Sequence, residues 1–166
     1  MLIRRLLASD AAAFQALRLA ALKESPSAFG SSYEDEHATP IETIAANLVQ
    51  RNLFGAFEGD ALAGMIGVGR DSAAKARHKA TIRAMYVAPD QRGKGLGRQL
   101  LEHALGFAKA MDGVCQVTLD VTADNAAAMA LYASHGFIIY GKEPRAMLVD
   151  GQFHDTVLMV HMLTGR

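Results

Sequence analysis

The spacing of apolar side chains predicts a strand and two helices in the first part of the chain. Residues 1–7 are typical of a strand. After Ser9 and Asp10, apolar residues recur at helical spacing and form one face made of Phe14, Leu17 and Ala21. A polar connection over residues 24–39 follows. Residues 39–42 predict a capping box with Pro40 at the first helical position, followed by the apolar stripe Ile41, Ile44 and Leu48.

Three strands are predicted in the middle of the chain. Residues 53–57 and 63–68 are apolar and flank Glu58-Gly59-Asp60, which is a hairpin signal. Residues 79–87 form a third apolar segment after a charged loop. Together these segments predict an antiparallel meander.

The C-terminal part alternates between helix and strand. Beyond residue 95, an amphipathic helix is marked by Leu100, Leu101, Ala104, Leu105 and Ala108. Residues 114–121 alternate apolar and polar positions, as expected of a strand. An Ala-rich helix follows, which either Asp124 or Asn125 can cap and Gly136 ends.

Two further strands complete the expected fold, over residues 137–140 and 156–163, with a turn at Asp150-Gly151. Mixed element order of this kind predicts an α+β domain with a central, partly parallel sheet of six to seven strands. About four helices cover it. With 166 residues, the chain is expected to form one domain over 1–166.

The composition narrows the class of protein. Hydrophobic residues make up 51% and charged residues 20%, as in ordinary soluble domains, and the net charge of zero argues against bulk affinity for nucleic acid. The longest apolar run, residues 61–68, is far shorter than the ~18 residues that span a bilayer. A single cysteine, Cys115, excludes an internal disulfide. A cytoplasmic protein with no membrane partner is expected.

Charge is unevenly distributed along the chain. Between residues 70 and 98 there are eight Lys or Arg and two Asp, whereas residues 24–42 hold five acids and no Lys or Arg. The basic segment suits a polyanionic ligand. The acidic segment, which includes Glu34 and Glu36, could attract a cationic amine or be solvated surface.

Glycines carry the main chemical signal, in the segment from Val87 to Gly97. Gly93, Gly95 and Gly97 alternate with Arg92, Lys94 and Leu96, and a helix starts at once. Unpaired N–H groups at a helix start, together with basic side chains, suit a phosphate. A Walker loop is excluded because Gly95 follows Lys94 where Ser or Thr is needed, and the glycine spacing differs from that of a dinucleotide fingerprint.

The spacing Arg92-x-x-Gly95-x-Gly97 resembles the pyrophosphate loop of the GNAT superfamily of acyl-CoA-dependent N-acyltransferases. Asn125, Leu131-Tyr132 and Gly136-Phe137 are similar to the second GNAT signature. The predicted element order also matches that fold along the whole chain.

The resemblance implies an N-acetyltransferase that uses acetyl-CoA as cosubstrate, without a metal, and transfers acetyl directly to a primary amine in a ternary complex. Tyr132 would be catalytic, beside the thioester sulfur. The cofactor-binding residues would be Met85, Tyr86, Val87, Arg92, Gly93, Lys94, Gly95, Leu96, Gly97, Arg98 and Asn125.

Three points stay open at the level of sequence. The acceptor could be a small molecule or a peptide amine. The general base could be Asp120, Glu34, Glu36 or a chain of waters. A homodimer is possible, and the alternative function is a non-catalytic acyl-CoA-binding sensor or interaction module.

Overall fold

The computed structural model describes residues 1–163, so the last three residues of the expected domain lie outside the described range. The strands are β1 (Leu2–Arg5), β2 (Asn52–Glu58), β3 (Ala61–Arg70), β4 (Lys79–Val87), β5 (Gln116–Thr122), β6 (Ile138–Val149) and β7 (Gln152–Met162). The helices are α1 (Ala11–Glu24), α2 (Tyr33–Glu36), α3 (Ile41–Gln50), α4 (Leu96–Ala110) and α5 (Ala126–Ser134). The expected α+β class is confirmed.

The strands form one mixed seven-stranded sheet in the order β1-β2-β3-β4-β5-β7-β6. Neighbouring strands are antiparallel except β4 and β5, which are parallel. In the hairpin formed by β6 and β7, it is β7 that pairs with β5, so β6 lies at the edge of the sheet.

Helices cover both faces of the sheet, and neighbouring residues on a strand point to opposite faces. Ile66 belongs to the apolar cluster under α4 and α5, whereas Met65 packs with Leu17 and Ala21 of α1. The helix α3 packs beside α1 on the second face, through Ile44 and Leu48.

The two parallel strands separate soon after they begin. Only residues 79–81 of β4 pair with β5, and the strands diverge beyond that point. A bulge on β4 increases the divergence, because Ala84 and Met85 together oppose the single residue Ile66. Ala84 takes a left-handed φ of 53°, which is unusual for a residue other than glycine. The sheet therefore opens at its centre.

Three local predictions need correction. The connection over 24–39 contains the single-turn helix α2, which Ser32 caps through a hydrogen bond to the N–H of Asp35. The predicted capping box at Thr39 does not form: Pro40 is the N-cap of α3 and no side chain caps that helix. The β6 strand continues to Val149, well past residue 140, because pairing with β7 holds its polar half in the sheet.

Candidate active site

A cavity of about 560 Å³ fills the opening between β4 and β5, and we call it the β4–β5 cavity. Its walls come from these two strands, from the loop before α4 and from α5. Of the predicted site residues, it brings together Met85, Tyr86, Val87, Arg92, Gly93, Gly95, Leu96, Gly97, Arg98, Asn125 and Tyr132. Lys94 is not among the residues that line it.

The glycine loop at one end of this cavity is built to bind an anion through its backbone. Gly93 and Gly95 have φ values of 74° and 79°, which side chains with a Cβ rarely adopt. None of the N–H groups of residues 93–98 donates a hydrogen bond within the described chain. These groups and the positive end of the α4 dipole fit a diphosphate.

The basic side chains of this loop are partly engaged. The guanidinium of Arg92 donates to both carboxylate oxygens of Glu24 at 2.8 Å. The ammonium of Lys94 donates to the Gln91 side-chain oxygen at 3.2 Å, which holds it away from the cavity. Arg98 makes an exposed helical pair with Glu102, which binds weakly and leaves its charge available. Binding of a phosphate here therefore depends more on the backbone than the sequence indicates.

The open edge of β4 presents backbone groups to the cavity. The N–H of Ala88 donates to the carbonyl of Ala63 on β3, so the groups of the preceding residue, Val87, point away from β3 and towards β5. The carbonyl of Val87 accepts a hydrogen bond from Arg92 Nε at 3.0 Å. Its N–H stays open, which suits an extended ligand that pairs with the strand edge.

Tyr86 lines the β4–β5 cavity, but its side chain is directed elsewhere. Its ring packs with α1 on the opposite face of the sheet, and its hydroxyl donates to Glu24 at 2.9 Å. Glu24 thus joins α1, β4 and the glycine loop. No local pattern indicates this role, because Glu24 lies more than sixty residues from both partners. The hydrogen bonds from Arg92, Tyr86 and Ser25 lower the pKa of the Glu24 carboxyl to about 2.

The helix α5 places the second signature on the cavity wall. The side-chain oxygen of Asn125 caps the helix by accepting the N–H of Ala128 at 3.2 Å, so its amide nitrogen is left to donate to a ligand. The ring of Tyr132 stands edge-on to Phe137, with centroids 5.8 Å apart. Gly136 allows this turn with a φ of 86°.

The Tyr132 hydroxyl is directed into the cavity. It makes no hydrogen bond within residues 1–163. Every fully buried side-chain oxygen in that range has a partner, so the Tyr132 oxygen is not fully buried and is accessible from the cavity. Burial of the ring raises the pKa of Tyr132 to about 12. The hydroxyl therefore stays protonated at neutral pH and can donate a proton.

A second cavity, of about 720 Å³, lies on the other face between α1, α3 and β4, and we call it the α1–α3 cavity. Arg83 and Ala84 line both cavities, so the β4 bulge forms the boundary between them. A second molecule could approach the reacting end of a ligand from this side.

The candidate bases occupy different places. Glu36 lines the α1–α3 cavity, but Arg18 binds both of its oxygens at 2.9 Å and lowers its pKa. Glu34 lines neither cavity, and Asp35 is bound to Ser32. Asp120 lines the β4–β5 cavity and forms no ion pair within residues 1–163. Of the acidic segment, only Glu36 therefore lines one of these two cavities, and Arg18 already binds its carboxylate.

Comparison with known families agrees with this geometry. Residues 15–137 match the model of the acetyltransferase (GNAT) family, and this segment covers most of the chain and both signatures. The chain belongs to the GNAT family.

Curated GNAT relatives match this chain over shorter segments. It is 52% identical to mycothiol acetyltransferase from Kocuria rhizophila over 54 residues, which are 32% of this chain and 18% of that protein. It is 48% identical to [ribosomal protein bS18]-alanine N-acetyltransferase from Escherichia coli K12 over 36% of this chain and 39% of that protein. L-methionine sulfoximine/L-methionine sulfone acetyltransferase from Pseudomonas aeruginosa is 37% identical over 46% of this chain and 44% of that protein. The chain thus matches less than half the length of each.

Solved GNAT structures match along the whole chain. An acetyltransferase from Streptococcus pneumoniae gives a TM-score of 0.87 at 27% identity, covering 98% of this chain and 99% of that one. The yncA protein of Salmonella typhimurium, solved with its cofactor acetyl-CoA, also gives a TM-score of 0.87. Its identity is 23%, and the match covers 100% of this chain and 95% of that one. The second likeness concerns the fold alone.

Two kinds of feature are absent from the part of the chain that the structure describes. Within residues 1–163, no cluster of His, Cys, Asp and Glu side chains has the arrangement needed to hold a metal ion. No helix in that range has the length and hydropathy to cross a membrane.

Proposed function

We propose that this GNAT protein transfers an acetyl group from acetyl-CoA to a primary amine, by direct transfer in a ternary complex. One observation carries the proposal. The open Tyr132 hydroxyl, the free strand edge at Val87 and unpaired N–H groups of the glycine loop all belong to residues that line the same cavity. Each suits a different part of one elongated thioester: the sulfur, the amide-containing arm and the diphosphate.

The reaction exchanges one bond for another at the acetyl carbonyl. The amine nitrogen bonds to the carbonyl carbon, the bond from that carbon to sulfur breaks, the thiolate gains a proton, and the amine loses one. An activated acyl group requires mainly alignment with the amine, and such positioning contributes a large part of the rate.

The residues of this chain would divide these tasks. The N–H of Val87 would hold the carbonyl oxygen as it gains negative charge. Tyr132 would donate its proton to the leaving thiolate and regain one from solvent. The side-chain nitrogen of Asn125 would donate to the amide-containing arm. Asp120, acting through water, would take the proton of the amine, because it is the unpaired acid at the cavity.

The wider parts of the proposal rest on sequence. Low cysteine content and the short apolar runs support a cytoplasmic protein, and the family resemblance supports a homodimer. Relatives that act on a ribosomal protein alanine and on L-methionine sulfone support an amine acceptor.

The test combines binding with turnover. Isothermal calorimetry should show acetyl-CoA binding to the purified protein, and free thiol released over a panel of primary amines should be detected with DTNB. Release that depends on an amine, with mass spectrometry showing an acetylated product, would establish the transferase.

The alternative is a sensor that binds acyl-CoA without transfer. The ion pair between Arg92 and Glu24, which occupies a basic side chain of the loop, is the reason to test this alternative as well. Tight binding without thiol release for any amine would support the sensor. Absence of binding would contradict both functions.

A further inference from the structure

The charges in the α1–α3 cavity point to the kind of amine that enters it. Four arginines line this cavity, Arg18, Arg51, Arg70 and Arg83, and Glu36 is the one acid among its lining residues. We propose that the acceptor is a small amine that also bears a carboxylate, of the α-amino acid class, and that Arg83, assisted by Arg51, binds this carboxylate. The proposal rests on the acetyltransferase function.

Two of the four arginines have protein partners. Arg18 binds both oxygens of Glu36 at 2.9 Å. Arg70 donates from Nε to the carbonyl of Arg77 and from its terminal nitrogen to the carbonyl of Asp112, each at 2.7 Å. These contacts hold their side chains in place and use much of their donor capacity.

The other two have donors to spare. Neither Arg51 nor Arg83 makes a side-chain hydrogen bond or ion pair within the described part of the chain. Arg51 interacts with Glu36 only through its charge, and that carboxylate already has Arg18 as a partner. Arg83 therefore carries the least compensated charge of the cavity. A guanidinium with free donors binds a carboxylate through two parallel hydrogen bonds.

The position of Arg83 relates this charge to the chemistry. It directly precedes the bulge residue Ala84, and both residues line the two cavities. Its side chain lies over the backbone of Gly69, where an added Cβ would stand 3.5 Å from Nε. An α-amino acid bound here has its amine one carbon away from the carboxylate. The amine would then lie at the boundary between the cavities, where the acetyl group is expected.

The remaining walls suit a small polar molecule. The cavity volume of about 720 Å³ lies in the range of small-ligand sites. Asn47, Gln50 and Asn52 offer amide groups, while Phe14 and Leu19 offer apolar surface. A peptide N-terminus lacks a carboxylate beside its amine, so the same cavity would bind it less well.

The experiment compares matched acceptors. Free α-amino acids, including L-methionine sulfone, are tested against their carboxamides, with DTNB detection of CoA and acetyl-CoA held saturating. We expect kcat/KM to be at least tenfold higher for the acids. In Arg83→Gln the acid-to-amide ratio should fall towards one, and in Arg51→Gln it should fall less. Arg77→Gln, which removes an equal charge outside both cavities, should keep the original ratio.

Calorimetry separates failure of the site from failure of the enzyme. With CoA present, acids should bind more tightly than amides even if turnover is slow. If acids bind more tightly but no acceptor causes CoA release from acetyl-CoA in the turnover assay, the anion site is supported and the transferase is rejected. Release of CoA from acetyl-CoA at equal rates with acids and amides as acceptors, or faster release with peptides, would overturn the carboxylate proposal and keep the transferase. An unchanged ratio in a folded Arg83→Gln protein would also overturn it.

Discussion

At the scale of single residues, the site uses few side chains and holds each by a different means. Tyr132 is held by burial against Phe137 and keeps its hydroxyl free. Arg92 is held by hydrogen bonds to Glu24 and to the Val87 carbonyl. A free hydroxyl is available for proton transfer, whereas a guanidinium with three occupied donors positions the loop.

Replacing Tyr132 by Phe should lower kcat and leave KM for acetyl-CoA nearly unchanged. The hydroxyl acts on the leaving sulfur, and loss of a general acid typically costs ~10²-fold or more in rate, at the low end for a thiolate. Stability should change little, because the hydroxyl has no protein partner to leave unsatisfied.

Steady-state kinetics of Tyr132→Phe should be compared with Tyr140→Phe, which removes an exposed hydroxyl on β6. An unchanged kcat in Tyr132→Phe, with chemistry shown to be rate-limiting, would assign the residue to core packing.

Replacing Glu24 by Gln should destabilise the protein at pH 7 and should do so less at pH 3. The pKa of this carboxyl falls from 4.5 to about 2 on folding, so its stabilising effect is complete above pH 4.5 and is lost as the pH falls towards 2. Because the pair is exposed to solvent, we expect a difference of about 1 kcal/mol or less at pH 7.

Urea unfolding of wild type and Glu24→Gln at pH 7 and at pH 3 measures this difference. Glu143→Gln, at an exposed position on β6, is the control with the same change in charge. A difference of equal size at both pH values would contradict the ion-pair account.

At the scale of elements, the loop between β4 and α4 combines a strand end, glycines and a helix start. The two left-handed glycines turn the chain so that successive N–H groups face one side, and α4 then begins with its first donors free. The buried face of α4, from Leu96 to Ala108, anchors this arrangement to the sheet. The element is therefore rigid on one side and open to a ligand on the other.

Replacing Gly95 by Val should weaken acetyl-CoA binding at least tenfold. A β-branched residue at a φ of 79° is strained by ~1–3 kcal/mol and its methyl groups hinder approach to the backbone. An added Cβ meets no atom within 4 Å, so the protein should still fold.

The matched control is Gly106→Ala on the exposed side of α4, where a Cβ also has free space. It should stabilise the helix by ~0.5–1 kcal/mol and leave binding unchanged. Calorimetry on both variants decides the point, and normal affinity in a folded Gly95→Val protein would place the diphosphate elsewhere.

At the scale of the whole molecule, the two cavities lie on opposite faces of one sheet and meet at the bulge of β4, beside the opening between β4 and β5. Strand pairing stops after Thr81, and β7 closes the far side of β5 along its full length. The opening is thus framed by paired strands on both sides. Bound ligand would add pairing at the point where the sheet lacks it.

Addition of acetyl-CoA should slow hydrogen exchange at the end of β4. The N–H of Val87 has no partner on β3, so a ligand that pairs with the strand edge should protect it. Exchange mass spectrometry should show protection in peptides that cover residues 85–88, with none in the distant residues 142–148 of β6. Equal exchange with and without the ligand would contradict pairing along this edge.

Much of the site was predictable because its signals are local. The glycine spacing from Arg92 to Gly97 and the segment from Asn125 to Phe137 each lie within one loop and one helix, where spacing along the chain sets spacing in space. For the same reason hydrophobic periodicity predicted the four longer helices and most strands. Side-chain contacts were less predictable. The Tyr86 hydroxyl binds Glu24, which is distant in sequence, whereas Lys94 is bound by Gln91 of its own loop.

By itself, then, the sequence determined the α+β class and the GNAT signatures, and most of its predicted site residues line the β4–β5 cavity, since these depend on neighbours along the chain. Tertiary structure alone decided the place of β7, the bulge at Ala84, the pairing of Glu24 with Arg92 and the gathering of four arginines from separate elements. The physical reason is that strand order and ion pairs depend on which distant segments meet. No local pattern contains that information.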